Sequence, residues 1–301
     1  MDIINEIRRL KEETGTVILA HTYQEPAIIE IADITGDSFA LAKKSKALGA
    51  KKVMMCGVRF MAESVKILSP DTEVILPVPE ATCPMAEMIS PERVREYKKN
   101  NPDAVVVAYI NTTAALKAEC DVCVTSSSAL KIVSKLDAPE ILFIPDKNLG
   151  SFVKAAFPEK NIVLWDGYCP VHARITEDDI LKAKALHPDA LLAVHPECER
   201  DVVKHADMAG STAEIIDFAL SSDKPVIIGT ERGVADFLIP KYPDKKLYSL
   251  CPEKLTCKDM KYTSPEKVLA ALKGEAGEKI ELSDELIIKA KHSIDEMLRL
   301  G

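Results

Sequence analysis

Short apolar runs rich in β-branched residues alternate along this chain with longer stretches whose apolar residues recur at helical spacing. Such an alternation is typical of repeated βα units with parallel strands, which are buried on both faces. The pattern predicts eight clear strands and a weaker ninth. They span residues 17–20, 53–55, 74–76, 105–108, 141–144, 162–164, 191–194, 226–228 and, for the weak one, 246–250.

The nine strands form three groups of three, and the features at their ends recur at nearly constant intervals. A polar cluster follows the first strand of each group and begins at His21, Tyr109 and His195, at intervals of 88 and 86 residues. A cysteine follows the third strand, at positions 83, 169 and 257, at intervals of 86 and 88. Fixed intervals of this kind indicate an internal repeat.

The repeat predicts the fold class and the place of the site. We expect an α/β fold made of three pseudo-threefold-related, three-layer αβα units with short parallel sheets. In such sheets functional groups gather at the carboxyl ends of the strands, so the active site is expected at the junction of the three units. The predicted division is a first repeat at 16–100, a second at 101–186 and a third at 187–264, with helical ends at 1–15 and 265–301 that pack together.

The interval after each cysteine decides which cysteine of the third repeat is the equivalent one. Seven residues after Cys83 and Cys169, a hydroxyl residue followed by acidic residues marks the start of a helix. The same signal lies seven residues after Cys257, at Ser264. Seven residues after Cys251 stands a lysine, so Cys257 belongs to the set.

Three cysteines in matched loops point to a shared metal centre, since core packing does not select thiols at one loop position in three units. Sulfur ligands favour zinc or an iron–sulfur cluster. A 4Fe–4S cluster on three cysteines leaves one iron free to act as a Lewis acid, which suits dehydration and condensation chemistry. Two alternatives stay open: a zinc-thiolate enzyme with a three-cysteine open site, and a non-catalytic repeat protein with structural thiols.

The polar residues at the strand ends supply candidate catalytic and binding groups. Histidines, tyrosines and a glutamate can transfer protons, and hydroxyls at helix starts can bind carboxylate or phosphate or can simply cap the helices. The candidates are His21, Tyr23, Tyr109, Asn111, His195 and Glu197, with the hydroxyl residues Ser38, Ser126, Ser211 and Thr212.

Composition and charge narrow the classes of partner. A net charge of −8 argues against a broad nucleic-acid interface. The longest apolar runs, such as residues 105–110, are far shorter than the ~20 residues of a membrane span. Residues 1–13 lack the pattern of a secretory signal, so we expect a cytoplasmic protein without disulfides. The single CxxC, Cys120 to Cys123, is interpreted as packing.

The motifs resemble those of the quinolinate synthases, in order and over essentially the whole chain. The first repeat carries residues 21–24 (HTYQ), 36–38 (GDS), 60–63 (FMAE) and 81–86 (ATCPMA). The second carries 109–112 (YINT), 145–149 (PDKNL) and 169–172 (CPVH). The third carries 195–198 (HPEC), 210–212 (GST) and 257–261 (CKDMK).

The resemblance implies a specific reaction and cofactor. Quinolinate synthases condense iminoaspartate with dihydroxyacetone phosphate to quinolinate for NAD biosynthesis, with loss of phosphate and two waters. They use a 4Fe–4S cluster held by three cysteines, which match Cys83, Cys169 and Cys257. The resemblance also implies a transient contact with an aspartate-oxidising or aspartate dehydrogenase enzyme, whereas charge and hydropathy give the expectation of neither a nucleic-acid nor a membrane partner.

The resemblance further assigns roles to residues. Tyr23, Tyr109, His195 and Glu197 match catalytic positions. Residues that match substrate-binding positions are His21, Ser38, Asn111, Ser126, His172, Ser211 and Thr212. One departure concerns Thr22, which stands where the family usually has asparagine.

Overall fold

The computed structural model describes residues 2–301, without the side chains of residues 39, 42, 45 and 46. Its α/β fold repeats one arrangement of four parallel strands three times. The strands of the first unit are β1 (Thr16–His21), β2 (Ile34–Gly36), β3 (Lys52–Cys56) and β4 (Glu73–Leu76); those of the second are β5 (Ala104–Tyr109), β6 (Val122–Val124), β7 (Glu140–Ile144) and β8 (Ile162–Leu164); those of the third are β9 (Leu191–Val194), β10 (Met208–Ala209), β11 (Val226–Gly229) and β12 (Leu247–Ser249).

The three sheets share one strand order, which confirms the predicted pseudo-threefold αβα architecture. The second strand of each unit lies at one edge, followed by the first, third and fourth. All nine predicted strands are present. Each unit also has a strand that the pattern did not predict, namely β2, β6 or β10, each only two or three residues long. A thirteenth strand, β13 (Glu278–Lys279), pairs antiparallel with β4.

Helices cover the sheets and occupy equivalent places in the units. They are α1 (Ile3–Thr14), α2 (Pro26–Ile31), α3 (Ser38–Leu48), α4 (Arg59–Leu68), α5 (Pro91–Asn100), α6 (Ala114–Lys117), α7 (Ala129–Ser134), α8 (Lys147–Ala156), α9 (Glu177–Leu186), α10 (Arg200–Val203), α11 (Thr212–Ser221), α12 (Gly233–Lys241), α13 (Pro265–Leu272) and α14 (Asp284–Leu300). No helix within residues 2–301 is both long and apolar enough to cross a bilayer.

A lysine–aspartate pair braces the amino-terminal edge of every sheet. In the second unit, Asp121 accepts the Val106 N–H of the first strand at 2.7 Å and pairs with Lys98 Nζ at 2.7 Å. The same bonds recur at the equivalent residues of the other units, with Asp33, Ile18 and Lys11 in the first and Asp207, Leu192 and Lys184 in the third. The repeat therefore extends to individual hydrogen bonds.

The ends of the chain pack on different units. Helix α1 contacts α13, whereas α14 contacts α4, α6 and β6. Ala290, Ile294 and Met297 of α14 are buried in the core of the second unit, and the Ser293 hydroxyl donates to the Lys117 carbonyl at 3.0 Å. The exact division of the chain into repeats and helical ends stays a prediction.

The cysteine loops are held to the sheets in the same way in each unit. In each unit a helix follows the third strand, and a backbone N–H at the start of that helix donates a hydrogen bond. The acceptor is the backbone carbonyl of the residue two positions before the cysteine. These bonds join Arg59 to Ala81 at 2.9 Å, Lys147 to Gly167 at 2.7 Å and Arg232 to Leu255 at 2.7 Å. A Cβ at Gly167 would lie 2.4 Å from the Pro145 carbonyl oxygen, so this close approach requires glycine. A short 3₁₀ helix follows each cysteine.

Candidate active site

A cavity of about 160 Å³ lies where the carboxyl ends of strands from all three units meet. It collects thirteen of the fourteen site residues that the sequence predicts. They are His21, Tyr23, Ser38, Cys83, Tyr109, Asn111, Ser126, Cys169, His172, His195, Glu197, Thr212 and Cys257. The exception is Ser211, which does not line the cavity. Its hydroxyl accepts the Glu214 N–H at 3.3 Å, and the Glu214 carboxylate binds back to the Ser211 N–H, so Ser211 caps helix α11.

The three repeated cysteines are free thiols that share this cavity. Burial raises the pKa of Cys83 to about 12 and that of Cys257 to about 11, and it raises the pKa of Cys169 as well. Charge on Cys257 raises the pKa of Cys83 further, and charge on Cys83 raises the pKa of Cys169, so the sulfurs are close enough to interact. Three such thiols become thiolates together only when a cation is bound between them.

The spacing of these sulfurs distinguishes two kinds of metal centre. Tetrahedral zinc, with Zn–S bonds of about 2.3 Å, places its thiolates about 3.8 Å apart. Among residues 2–301, the group of three ligand atoms that lie within 4.8 Å of one another is Cys169, His172 and Glu197, and the three cysteines do not form such a group. At least one pair of the three cysteine sulfurs is therefore more than 4.8 Å apart, which is wider than a single zinc ion bound by all three would allow.

A buried carboxylate lies between two histidines beside Cys169. One Glu197 oxygen, Oε2, is 2.7 Å from His172 Nδ1 and 3.7 Å from His195 Nδ1. Burial opposes ionisation of Glu197, but the two histidines lower its pKa well below the ordinary range, and Tyr109 adds to this effect. Glu197 is therefore an ionised carboxylate inside the cavity at neutral pH.

The two histidines at equivalent places in the first and third units are neutral. Burial lowers the pKa of His21 to about 3 and that of His195 to about 4. In both units the histidine Nδ1 accepts the N–H two residues later, from Tyr23 at 3.1 Å and from Glu197 at 3.3 Å. The loop after the first strand therefore has the same hydrogen bond in the first and third units, and it places Tyr23 in one and Glu197 in the other at the cavity.

A chain of polar contacts connects Cys169 to Tyr23 across all three units. Cys169 Sγ lies 3.3 Å from His172 Nδ1, and His172 Nε2 lies 3.1 Å from Thr230 Oγ1. The Tyr23 hydroxyl lies 3.0 Å from Thr230 Oγ1 and 2.8 Å from Thr212 Oγ1. Burial raises the pKa of Tyr23 and of Tyr109, so both phenols are protonated donors near neutral pH.

The remaining predicted residues supply neutral polar groups. Ser38 is the first residue of α3, and the N-cap of that helix is Asp37, whose carboxylate accepts the Ala40 N–H at 2.8 Å. Ser126 precedes Ser128, which is the N-cap of α7. Asn111 Oδ1 is buried and has no hydrogen-bond partner within residues 2–301, so it can accept a hydrogen bond from a bound molecule.

Several residues of the site have no signal in the sequence. Thr230 stands at the end of an apolar strand without a motif of its own, and its role depends on contacts with Tyr23 and His172. Arg174 and Lys258 are exposed cations at the cavity that form no ion pair with any described residue. Arg174 follows Cys169 by five residues, and Lys258 follows Cys257 by one. This closeness in sequence to a cysteine is the signal that could have placed them near the metal centre.

Thr22, where the sequence departs from the resembling family, lies beside the site. Its N–H donates to the Gly36 carbonyl at 3.0 Å. Its buried hydroxyl oxygen has no hydrogen-bond partner among the residues that the structure describes. The side chain therefore makes none of the hydrogen bonds that the larger asparagine amide would offer at this place.

Comparison with known protein families gives one consistent result. A family model described as "Quinolinate synthetase A protein" matches residues 5–299. Curated relatives match nearly the full length as well. A protein named "Quinolinate synthase" from Caldicellulosiruptor bescii is 49% identical over 298 residues, which cover 99% of this chain and 98% of that protein.

Relatives with a lower identity carry the same name. The relative from Clostridioides difficile is 44% identical over 301 residues, covering 100% of this chain and 98% of its own. The relative from Aquifex aeolicus is 44% identical over 307 residues, covering 100% of this chain and 94% of its own.

Proposed function

This chain belongs to the quinolinate synthase family of NAD-biosynthesis enzymes, and we propose that it condenses iminoaspartate with dihydroxyacetone phosphate to quinolinate. The reaction releases phosphate and two waters. The observation that supports it most directly is the shared cavity, where three repeated cysteines meet a buried carboxylate, two neutral histidines and two protonated tyrosines. Two dehydrations and one condensation need this combination of proton donors and acceptors.

Cys83, Cys169 and Cys257 would hold a 4Fe–4S cluster. Their free thiols, their common cavity and their spacing fit that group. When bound, a cluster with three cysteine ligands supplies a Lewis-acidic iron with an open position. The protein's part is to keep the thiols in place, and the N–H groups of Ala86, His172 and Met260, three residues after each cysteine, favour the thiolate form.

The substrates are anions, and the cavity offers several ways to bind them. The backbone N–H groups at the starts of α3 and α11 are joined by the hydroxyls of Ser38 and Thr212. Such N-termini attract carboxylate and phosphate groups. Arg174 and Lys258 add positive charge at the cavity. Asn111 Oδ1, which is an unpaired acceptor, can orient an imine or hydroxyl hydrogen.

Proton transfer is assigned to the groups with suitable protonation states. Glu197 is ionised and, beside His172 and His195, can stabilise positive charge in the cavity while the proton that iminoaspartate loses from carbon is taken up there. Tyr23 and Tyr109 are protonated and can donate to departing or developing oxygen. Neutral His195 and His21 can pass protons between these groups without adding charge to the cavity. A transient contact with an aspartate-oxidising or aspartate dehydrogenase enzyme would supply the unstable imine.

The test is the metal content of protein purified without oxygen, with its absorption spectrum and an assay for quinolinate. We expect about four irons and about four sulfides per chain. Cys257→Ser should lose iron and activity, whereas Cys251→Ser should keep both. Cys251 is the matched control because it is a buried thiol six residues away that does not line the cavity.

A second candidate function rests on the close grouping of Cys169, His172 and Glu197. Their ligand atoms lie within 4.8 Å of one another, as a single zinc ion requires. A zinc enzyme of this kind would contain about one zinc per chain and no sulfide, and it would keep the zinc in Cys257→Ser. That result would overturn the cluster proposal.

A further inference from the structure

One position in the repeat carries an apolar residue in the first unit and a buried carboxylate in the second and third units. It lies two residues after the end of the third strand, at the start of the next helix, and is occupied by Val58, Asp146 and Glu231. The intervals are 88 and 85 residues, as for the rest of the repeat. Asp146 and Glu231 are fully buried. A buried carboxylate is costly unless its oxygens accept hydrogen bonds, so their bonds indicate their purpose.

Asp146 uses both oxygens to join a helix to a cysteine. Its Oδ1 accepts the Leu149 N–H at 2.7 Å, which caps helix α8. Its Oδ2 accepts the N–H of Cys169 at 3.0 Å. One carboxylate therefore connects the backbone of a proposed cluster ligand to the rigid end of the sheet.

Glu231 makes the same connection in the third unit with a longer side chain. Its Oε2 accepts the Gly233 N–H at 2.7 Å, at the start of α12, and its Oε1 accepts the N–H of Cys257 at 3.1 Å. Lys261 Nζ lies 3.5 Å from Oε1 and donates to the Tyr23 carbonyl at 2.6 Å. Glu231 therefore also connects the Cys257 loop to the loop that carries Tyr23.

The first unit has no such connection, because Val58 offers no acceptor to the N–H of Cys83. The nearest comparable bond comes from another unit: Asp259, two residues after Cys257, accepts the Thr82 N–H at 3.4 Å through Oδ1. The three cysteine loops thus share their backbone path but differ in how their ligand residues are held.

We propose that Asp146 and Glu231 are positioning residues that hold Cys169 and Cys257 in the geometry for binding a metal cluster, while the Cys83 loop is held without a carboxylate. The proposal rests on the proposed function for the identity of the bound group, but the hydrogen bonds to the cysteine N–H groups exist in the protein itself. Since both oxygens of each carboxylate are acceptors, an amide at either position can make only one of the two bonds.

The experiment uses Asp146→Asn and Glu231→Gln in protein purified anaerobically. Two quantities are measured: the rate of iron release to a chelator, and the rate at which each cysteine is alkylated by iodoacetamide, resolved by peptide mass spectrometry. We expect iron release about tenfold faster in both variants, since a hydrogen bond to a charged group is lost. Alkylation should rise about tenfold at Cys169 in Asp146→Asn and at Cys257 in Glu231→Gln.

Asp121→Asn is the matched control. It removes a carboxylate that also accepts a backbone N–H, at 2.7 Å, but at the opposite end of the sheet from the cysteines. It should leave iron release and alkylation unchanged. The selectivity between Cys169 and Cys257 separates positioning from general destabilisation, which would raise the rates at all three cysteines together.

The outcomes of the two proposals can be told apart. The wild-type protein could hold a cluster while neither variant changes iron release or the alkylation rate of the cysteine that its carboxylate contacts. That result would overturn the positioning role and leave the proposed function standing. Alternatively, the wild-type protein could hold no cluster while each variant still raises the alkylation rate of its own cysteine selectively. That result would support the positioning role and count against the proposed function. Uniform alkylation of all three cysteines in both variants would overturn the positioning role.

Discussion

The two ends of the parallel sheets differ in how strictly the three units repeat. At the amino-terminal ends, the lysine–aspartate pair and its bond to the first strand are the same in every unit, with aspartate-to-strand distances of 2.7–2.8 Å. At the carboxyl ends, equivalent places hold His21, Tyr109 and His195, or Val58, Asp146 and Glu231. The contrast separates residues that each unit needs for its own folding from residues that serve the cavity.

The physical reason lies in the surroundings of each end. Every unit must hold one helix against its first strand, and a lysine–aspartate pair with a strand N–H solves that local problem three times. The carboxyl ends instead surround one cavity, and the two substrates proposed for it have no threefold symmetry. The cysteines are an exception at this end, because the proposed cluster would need the same ligand from each unit.

The largest expected effect at the carboxyl ends is that of Glu197→Gln. The variant removes the ionised carboxylate between His172 and His195, so we expect kcat to fall by about 10²-fold or more, measured as quinolinate formed per cluster. Glu63→Gln is the control, because Glu63 accepts the Ala114 N–H at 2.8 Å outside the cavity. An unchanged kcat in Glu197→Gln would contradict the catalytic role proposed for this carboxylate.

Tyr23→Phe should follow with a reduction of kcat of about 10- to 100-fold. The variant removes the hydroxyl that contacts Thr212 and Thr230, while the ring stays in place. Tyr97→Phe is matched to it, since the Tyr97 hydroxyl donates to Glu140 at 2.6 Å on the surface of the second unit. Equal kcat losses in the two variants would show that a phenol hydroxyl matters only for stability.

At the amino-terminal ends we expect stability to change without activity. Asp121→Asn should lower the free energy of unfolding by about 1–2 kcal/mol, because a buried strand N–H loses a charged acceptor. Urea unfolding measures this change, and kcat should stay at the wild-type value. Asp33→Asn and Asp207→Asn should give similar losses; a loss of kcat in any of the three would break the proposed separation of the two ends.

A smaller effect is expected from the cations at the cavity. Arg174→Ala and Lys258→Ala should each raise the KM for dihydroxyacetone phosphate about two- to fivefold, because exposed charges interact weakly through water. The increase should shrink at high salt. Arg299→Ala serves as the control, since Arg299 is exposed on α14 and pairs with Glu296 at 2.7 Å. No change in KM would remove both cations from the substrate path.

The smallest effect concerns acid stability. Burial acts to raise the pKa of Asp207, but the bonds from Lys184 and the Leu192 N–H lower it below the ordinary value. A carboxylate with a lowered pKa in the folded state stabilises the protein above the unfolded pKa of about 4, and this contribution is lost as the pH falls through the folded pKa. The unfolding free energies of wild type and Asp207→Asn should therefore differ at pH 7 and converge below pH 4. Equal unfolding free energies at pH 7 would show that the Lys184–Asp207 pair does not contribute to stability.

The sequence predicted the repeat and most of the cavity, because both leave a record at fixed intervals. Its nine strands and three cysteine loops were visible as periods and spacings. It could not predict the two-residue strand β10, which is too short to show a period. It also could not separate Ser211, which caps a helix, from Thr212, which lines the cavity, since adjacent hydroxyl residues look alike until the helix start is located.

By itself, then, the sequence determined the architecture, the three cysteines and the family, since each of these depends on which residues occur and at what interval. Only the tertiary structure decided which groups act on one another. Thr230 contacts both Tyr23 and His172, and Glu231 holds Cys257 and approaches Lys261. Such contacts join residues up to 207 positions apart in the chain, and burial in the cavity sets their protonation. Neither proximity nor burial is written in local spacing, because both arise only when the three units come together.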